Sequence, residues 1–463
     1  MVDDELAVWS SLQAQVMNVA VPDLAPPTKR LLHRRSVAVV VLLILTIYGF
    51  EAHARRRALS TPPSMGDQGA YLGYARHLYE SSYTVVEDRN RMPVFPFLLS
   101  LIYEPGLSET QFLRRAQAFN VNLSILLLFL IFLIFRKFFP PWHAVGLLAA
   151  TAFGVFIYRV VNAQTEVLFY CISFCAFLLL LQMLLTPRWW LAALGGLAMG
   201  LAHLTKASVL PGLVVWIAVF FAQIIWSFRK RDCHPSTHPG RGAAMLLVVI
   251  ATFLAVIFPY IQTSKRIYGQ YFYNVNSTFV IWCDSSTEGW NFLHEHGDKD
   301  QWRSLPPEQL PSWSKYWREH SVGQIVRRPM RGAWNLITQN AMVIGYYKFM
   351  AAFVIAGAVF CVRQPGRARQ LLAENPFATA FCVLFFCAYF VLYAWYQAIV
   401  SDTRFILAIF LPCAFASSLF LMRLGRDRLI AVAGRQLPFE QFFPAILIGL
   451  SLIDVVYNAK FLF

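Results

Sequence analysis

Long apolar stretches recur along the chain, separated by short polar breaks. Runs of roughly 18 or more apolar residues read as membrane-spanning helices. About eleven such runs can be drawn, with cores near 37–53, 118–135, 142–158, 166–185, 190–204, 208–228, 243–262, 341–362, 376–397, 405–422 and 440–457. The predicted fold is therefore an all-α polytopic membrane protein. Residues 1–36 form a polar N-terminal segment expected in the cytoplasm, and 37–463 form one transmembrane domain. No cleavage pattern follows the polar start, so the first span is expected to remain as a signal anchor. There is no internal repeat, heptad array or low-complexity tract.

The polar breaks set the orientation. Lys29, Arg30, Arg34 and Arg35, then Arg136 and Lys137, Arg188, and Arg229, Lys230, Arg231 and Arg241 fall in alternate short breaks. Arg363, Arg367 and Arg369, then Arg423, Arg426, Arg428 and Arg435, continue the series. The positive-inside rule puts this side in the cytoplasm. The opposite side then holds two long loops, 54–116 and 263–340, and tight turns near 159–165, 205–207 and 398–404. Arg55-Arg56-Arg57 is the exception: it lies just outside span one, where it is expected to meet lipid phosphates.

Composition agrees with this picture. The chain has 463 residues, of which 57% are hydrophobic and only 14% charged, which excludes an ordinary soluble domain. A formal net charge of +15 would suit a nucleic-acid binder, but loop Lys/Arg bias and anionic headgroups account for it, and no nucleic-acid partner is expected. Of eight cysteines, Cys171, Cys175, Cys361, Cys382, Cys387 and Cys413 fall in apolar runs, and Cys233 and Cys283 in loops. There is no CxxC and no zinc-type Cys/His spacing, so neither a disulfide framework nor a metal site is expected. His294, Glu295, His296 and Asp298 match no metal motif. No P-loop or dinucleotide fingerprint is present, and no cofactor is required.

Candidate chemistry concentrates on the predicted outer face. Asp67 opens a segment, 67–79, in which Asp67, Tyr71, Tyr74 and Leu78 share one helical face, as in an amphipathic helix on a membrane surface. Two compatible accounts exist for Asp67. It is a capping residue, in a box with Ser64, or it is a general base near the headgroups. Arg91, Pro93 and Pro96 follow, with the prolines expected to end regular structure. Glu166 opens span four, either as the first-turn acid of a helix capped by Thr165 or as a second carboxylate facing a cavity. His203, Thr205 and Lys206 occupy the turn after span five, Asp402, Thr403 and Arg404 the turn before span ten, and Arg159 ends span three. Snorkelling explains any one of these cations. Together they suit a lipid phosphate, with Arg as a fork and Lys as a point charge. The run Tyr268 to Asn274 fits an interfacial aromatic belt or a sugar platform, and Asn276-Ser277-Thr278 is a glycosylation sequon.

These marks, in order, resemble a known family. Asp67 with its aromatic helix, Arg91-x-Pro93-x-x-Pro96, Glu166 heading a span, Gly196-x-x-x-Gly200 leading to Lys206, Gly289-Trp290-Asn291, and Arg404 before Pro412 are similar to the GT-C membrane glycosyltransferases. The likeness is greatest to the branch containing protein O-mannosyltransferases and the aminoarabinose transferase that modifies lipid A. It implies a GT-C-like fold with amphipathic helices in the first outer loop. It also implies a polyprenyl-phosphate sugar donor, Asp67 as catalytic base and Glu166 as a supporting acid. Some members carry a second acid beside the first; here that place is Gln68. Tyr71, Arg91, Lys206, Arg404 and His203 are the expected substrate-binding residues.

The expected activity is sugar transfer to a hydroxyl of a lipid, glycan or protein acceptor on the outer face. Membrane lipids are expected as further partners, and the bacterial inner membrane as location rather than the endoplasmic reticulum. A transporter or flippase for a lipid-linked or anionic substrate is the alternative; it would be expected to show broken helix pairs or an internal repeat. A non-catalytic scaffold is a third reading, and it predicts that Asp67→Asn is silent.

Overall fold

Apolar runs become helices here because a bilayer offers no hydrogen-bonding partner to backbone N–H and C=O groups, and a helix satisfies them internally. A computed structural model describes residues 27–59, 61–84, 88, 90–230, 239–297, 301–340, 346–432 and 434–461. The first 26 residues of the polar segment, Arg89, Arg231, Cys233, Asp298 and 341–345 of the eighth predicted span lie outside the described residues. The first half of the chain forms α1 (Pro27–Ala58), α2 (Gln68–Glu80), α3 (Val94–Ser100), α4 (Glu109–Phe138), α5 (Pro141–Gly154), α6 (Glu166–Leu185), α7 (Trp189–Thr205), α8 (Leu210–Lys230) and α9 (Pro239–Tyr268). The second half forms α10 (Ser286–Phe292), α11 (Trp313–Glu319), α12 (Val322–Asn335), α13 (Tyr346–Arg363), α14 (Pro365–Glu374), α15 (Pro376–Tyr396), α16 (Arg404–Ala408), α17 (Phe410–Leu424) and α18 (Phe439–Asn458).

Among the described residues, eight helices are long and apolar enough to cross a membrane, or nine if α13 and α14, bent by 109°, count as one span. This is the architecture of a multi-pass, all-α membrane protein. Two of the eleven predicted spans are shorter than expected. Span 190–204 is α7, of 17 residues, and span 405–422 is split at Ile409 into α16 and α17. Pro412 has no N–H to give to the Ala408 carbonyl, so the helix breaks there and restarts with Pro412 in its first turn. One short antiparallel hairpin, β1 (Leu429–Val432) with β2 (Arg435–Pro438), occupies the connection before α18.

The core is built around α5 and α6. Every residue of α5 from His143 to Gly154 is buried, as expected of a helix apolar on all sides. The connection after α5 is drawn inward with it, and this sinks Glu166 at the head of α6. Helices α7 and α9 approach closely along Gly196 and Gly200. A Cβ at Gly196 would stand 2.5 Å from the Val249 carbonyl oxygen, and one at Gly200 2.7 Å from Val256. This is the small-xxx-small seam by which membrane helices bring backbones together.

The first long loop carries the predicted surface helix. Tyr71, Leu72, Tyr74, Ala75 and Leu78 of α2 are buried, and the helix packs against α3. Pro93 and Pro96 do not end structure. They begin α3, Pro93 at its N-cap and Pro96 in its first turn, where no N–H is missed. Arg55 is spent inside the protein rather than on lipid: it donates to Asn458 of α18 at 2.9 Å and lies over the Tyr158 ring. Beside it, Lys348 pairs with Asp454, joining α13 to α18. In the second long loop, Tyr273 stacks on Tyr268 at 4.2 Å and on Trp302 at 5.6 Å, which makes a small loop core. Asn276 of the sequon spends its amide on Asn90, tying the two long loops together.

Candidate active site

Five separate connections deliver charged side chains to the end of the bundle that the sequence assigns to the outside. Asp67 comes from the start of α2, and Arg91 from the segment before α3. Arg159 and Glu166 come from the α5–α6 connection, Lys206 from the turn after α7, and Asp402 and Arg404 from the start of α16. Arg91 donates to Asp67 Oδ1 at 2.6 Å and Arg404 to Asp67 Oδ2 at 2.6 Å. Lys206 donates to Glu166 Oε1 at 3.0 Å, and Arg404 stands 3.8 Å from the same oxygen. Arg159 bonds both Asp402 and Thr403, and Asp402 lies 3.4 Å from Arg404 Nε. The group is one connected network with Arg404 at its centre.

Local structure explains the placement. Asp67 occupies the N-cap of α2 but makes no side-chain cap, so the capping-box account does not hold: two guanidinium groups outbid a backbone N–H. Thr165 likewise does not cap α6; its hydroxyl donates to the Thr205 carbonyl, pinning the head of α6 to the turn that carries Lys206. Gln68 is buried, accepts from the Ala163 N–H at 3.0 Å and donates to Thr61. It fastens the surface helix to the α5–α6 connection and thereby sets Asp67 against Glu166. Asn120 of α4 donates to the carbonyls of Val160 and Asn162, holding the same connection from the other side. Tyr260 of α9 donates to the carbonyls of Asp88 and Arg91, anchoring the strand of chain that carries Arg91.

The electrostatics favour an anion. Four cations (Arg91, Arg159, Lys206, Arg404) face three carboxylates (Asp67, Glu166, Asp402), so the network carries 4 − 3 = +1. Burial pushes the Asp67 carboxyl up, but Arg91 and Arg404 outweigh it and hold the group below its ordinary value. Asp402 is depressed for the same reason, by Arg159 and Arg404 against burial. Burial dominates at Lys206 and lowers it despite Glu166. At Arg404 three carboxylates overcome burial and raise it. The Glu166 side chain is 2% exposed and its Oε2 has no hydrogen-bond partner among the described residues. Asp67 is more open, at 28%.

Of the expected residues, Asp67, Arg91, Glu166, Lys206 and Arg404 share this network, and Tyr71 lies beneath Arg91, its ring 5.5 Å from the guanidinium. His203 lies elsewhere, edge-on to the rings of Phe253 and Phe272 with no charged group in contact among the described residues. His294 stacks on Trp290 and His296 lies against Phe292, and no group of three metal-ligating side chains occurs among the described residues. A narrow apolar crevice of about 20 Å³ begins at Phe169, one turn into α6 from Glu166. It runs inward past Ser173 and Phe177 on one side and Tyr393, Tyr389 and Phe385 on the other. The Lys206 ammonium stands 5.8 Å from the ring of Phe169, which lines this crevice.

The sequence holds no sign of the Arg159–Asp402 pair, nor of Gln68, Asn120 and Tyr260 as the side chains that hold these connections in place, save that Asn120 is a polar residue on an otherwise apolar helix. No family model matches the chain, and no curated protein or solved structure matches it.

Proposed function

We propose that the chain is an integral membrane glycosyltransferase of the GT-C kind. It moves a sugar from a polyprenyl-phosphate donor to an acceptor hydroxyl on the extracytoplasmic face, with inversion. The observation that carries this reading is the network of four cations and three carboxylates, one positive charge in excess, with a small apolar crevice starting one helical turn away, where the Lys206 ammonium stands 5.8 Å from the Phe169 ring. An anion with an apolar tail satisfies both halves of such a site. The crevice is slender, so a lipid tail must move Phe385 and Tyr389 aside to enter.

In the proposed reaction the acceptor oxygen attacks the anomeric carbon as its proton passes to the Asp67 carboxylate. The bond from that carbon to the phosphate oxygen breaks, and its electron pair leaves with the phosphate. Lys206 and Arg404 stabilise the charge that grows there. Glu166 holds Lys206 in place and offers Oε2 to a donor hydroxyl. A carboxylate gripped by two guanidinium groups is a weak base, and this supports a linked step. An incoming phosphate competes for Arg404 and Arg91, and Asp67 becomes more basic as they turn to it. A single displacement inverts the anomeric centre.

The test is a screen of purified protein against defined polyprenyl-phosphate sugars, with Asp67→Asn alongside. Sugar transfer by the parent, slowed by about 10²–10⁴ in the variant, is expected. Movement of a lipid-linked sugar across the membrane with no transfer would support the transporter reading instead.

A further inference from the structure

We propose that α12 is seated in the outer phospholipid leaflet, its apolar stripe among acyl chains and Arg327 and Arg331 on lipid phosphates. The helix has three sectors. Ile325 and Gly332 face the protein, and a Cβ at Gly332 would fall 1.8 Å from the Ala394 carbonyl oxygen, so the backbones of α12 and α15 touch there. Arg328 joins the same contact, donating to the carbonyls of Trp395 and Ile281 and lying 4.4 Å over the Trp395 ring. The second sector is Val322, Val326, Met330 and Trp334, four residues apart along the helix and 67%, 51%, 67% and 67% exposed. The third is Arg327 and Arg331, both exposed, one position further round than Val326 and Met330.

An apolar stripe flanked by cations is the pattern of a helix lying at a membrane interface. The location agrees. Ala394 and Trp395 end α15, one of the helices long enough to cross the bilayer, so a helix packed on them sits where that span meets the headgroups. A protein partner would need a surface both apolar and anionic, whereas anionic phospholipid supplies each beside the other. The stripe lies away from the charged network around Arg404, and the inference stands whether or not the chain transfers sugar. It also gives the bilayer a grip on the end of α15, which leads directly into the turn carrying Asp402 and Arg404.

The test uses the full chain in nanodiscs, with a fluorescent amino acid introduced at position 330. Nitroxide-labelled lipid is expected to quench it, and aqueous iodide is not. In discs containing phosphatidylglycerol, labelled anionic lipid should be enriched near the probe. Arg327→Gln with Arg331→Gln should lower that enrichment by about fivefold per charge removed while leaving the insertion depth unchanged. Quenching by iodide and not by lipid overturns the proposal. A probe shielded from both means that protein covers the stripe, which overturns it equally. All of these positions are exposed, so the variants are expected to fold; one that did not would be replaced by Met330→Asp, for which a shift from lipid to iodide quenching is expected.

Discussion

Asp67→Asn keeps the shape of the side chain and removes its charge. Two guanidinium groups converge on that carboxylate at 2.6 Å each. With charge centres about 4 Å apart and an effective dielectric near 20, each attraction is roughly 4 kcal/mol before desolvation. Asp67 is 28% exposed, and screening with desolvation reduces the net to about 1 kcal/mol per pair. The variant should therefore lose on the order of 2 kcal/mol of stability, a modest fall in thermal midpoint. Binding should move the other way. Removing one carboxylate takes the network from 4 − 3 = +1 to 4 − 2 = +2, frees Arg91 from Asp67 and leaves Arg404 with only Asp402 and Glu166 to compete with phosphate. If even about 1.4 kcal/mol of the released attraction reaches the ligand, affinity rises about tenfold. Loss of the base should slow transfer by about 10²–10⁴. Single-turnover transfer and equilibrium binding of a polyprenyl phosphate, measured on the same preparation, separate the two effects. An unchanged rate would refute the base. Weaker binding would refute the competition, because it would mean that Asp67 holds the donor.

Four further outcomes follow. Glu166→Gln strands a mostly buried Lys206 and should cost about 3–5 kcal/mol in thermal unfolding, whereas Glu166→Gln with Lys206→Met should recover part of that without restoring transfer; strict additivity of the two would contradict the ion pair. Asp67 and Asp402 are held below their ordinary values, so their stabilisation is complete above the unfolded carboxylate value near 4 and is lost as pH falls through the lower folded values. The part of the thermal midpoint that depends on Asp67, read as the difference between parent and Asp67→Asn, should thus be level from about pH 5 upward and shrink below about pH 4. Gly196→Leu drives a side chain into the Val249 backbone and should cost about 2–3 kcal/mol, seen as a lower midpoint; an unchanged one would mean that the α7–α9 seam yields freely. Ser173→Phe fills the crevice and should weaken long-tailed phosphates more than short-tailed ones, and equal losses would remove the crevice from the donor site.

What the sequence disclosed was local. Apolar run length marked α6 at 166–185, and charge placed at the ends of runs brought Asp67, Glu166, Lys206 and Arg404 to one end of the bundle. What it concealed depended on the third dimension. The Arg159–Asp402 contact joins residues 243 apart in the chain, and no spacing rule reaches that far. Asp67 and Thr165 both stand where caps belong, and both side chains are taken by tertiary partners. The prolines near Arg91 run against expectation because Pro breaks a helix from within but opens one at its first turn. Arg55-Arg56-Arg57 defies the positive-inside pattern, and for Arg55 the reason is Asn458 of α18 and Tyr158 of the α5–α6 connection, both distant in sequence.

Asp67 and Glu166, two of the three carboxylates of the network, are held in unlike ways, and the difference bears on the proposed division of roles. Glu166 heads a helix packed into the core, is almost sealed from solvent, and shares one oxygen with a lysine that has no other carboxylate at bonding distance among the described residues. Moving it means disturbing α6, so it is suited to fixing Lys206 and not to exchanging protons with bulk solvent. Asp67 stands at the N-cap of the short helix α2, is 28% exposed, and is gripped by side chains long enough to let go. Arg404 links the two, bonded to Asp67 and 3.8 Å from Glu166. A ligand phosphate that draws Arg404 inward toward Lys206 thus loosens the outer carboxylate while the inner one stays where it is. On the proposed reading, the donor itself prepares the base that activates the acceptor, and the order of binding is lipid donor first, acceptor second.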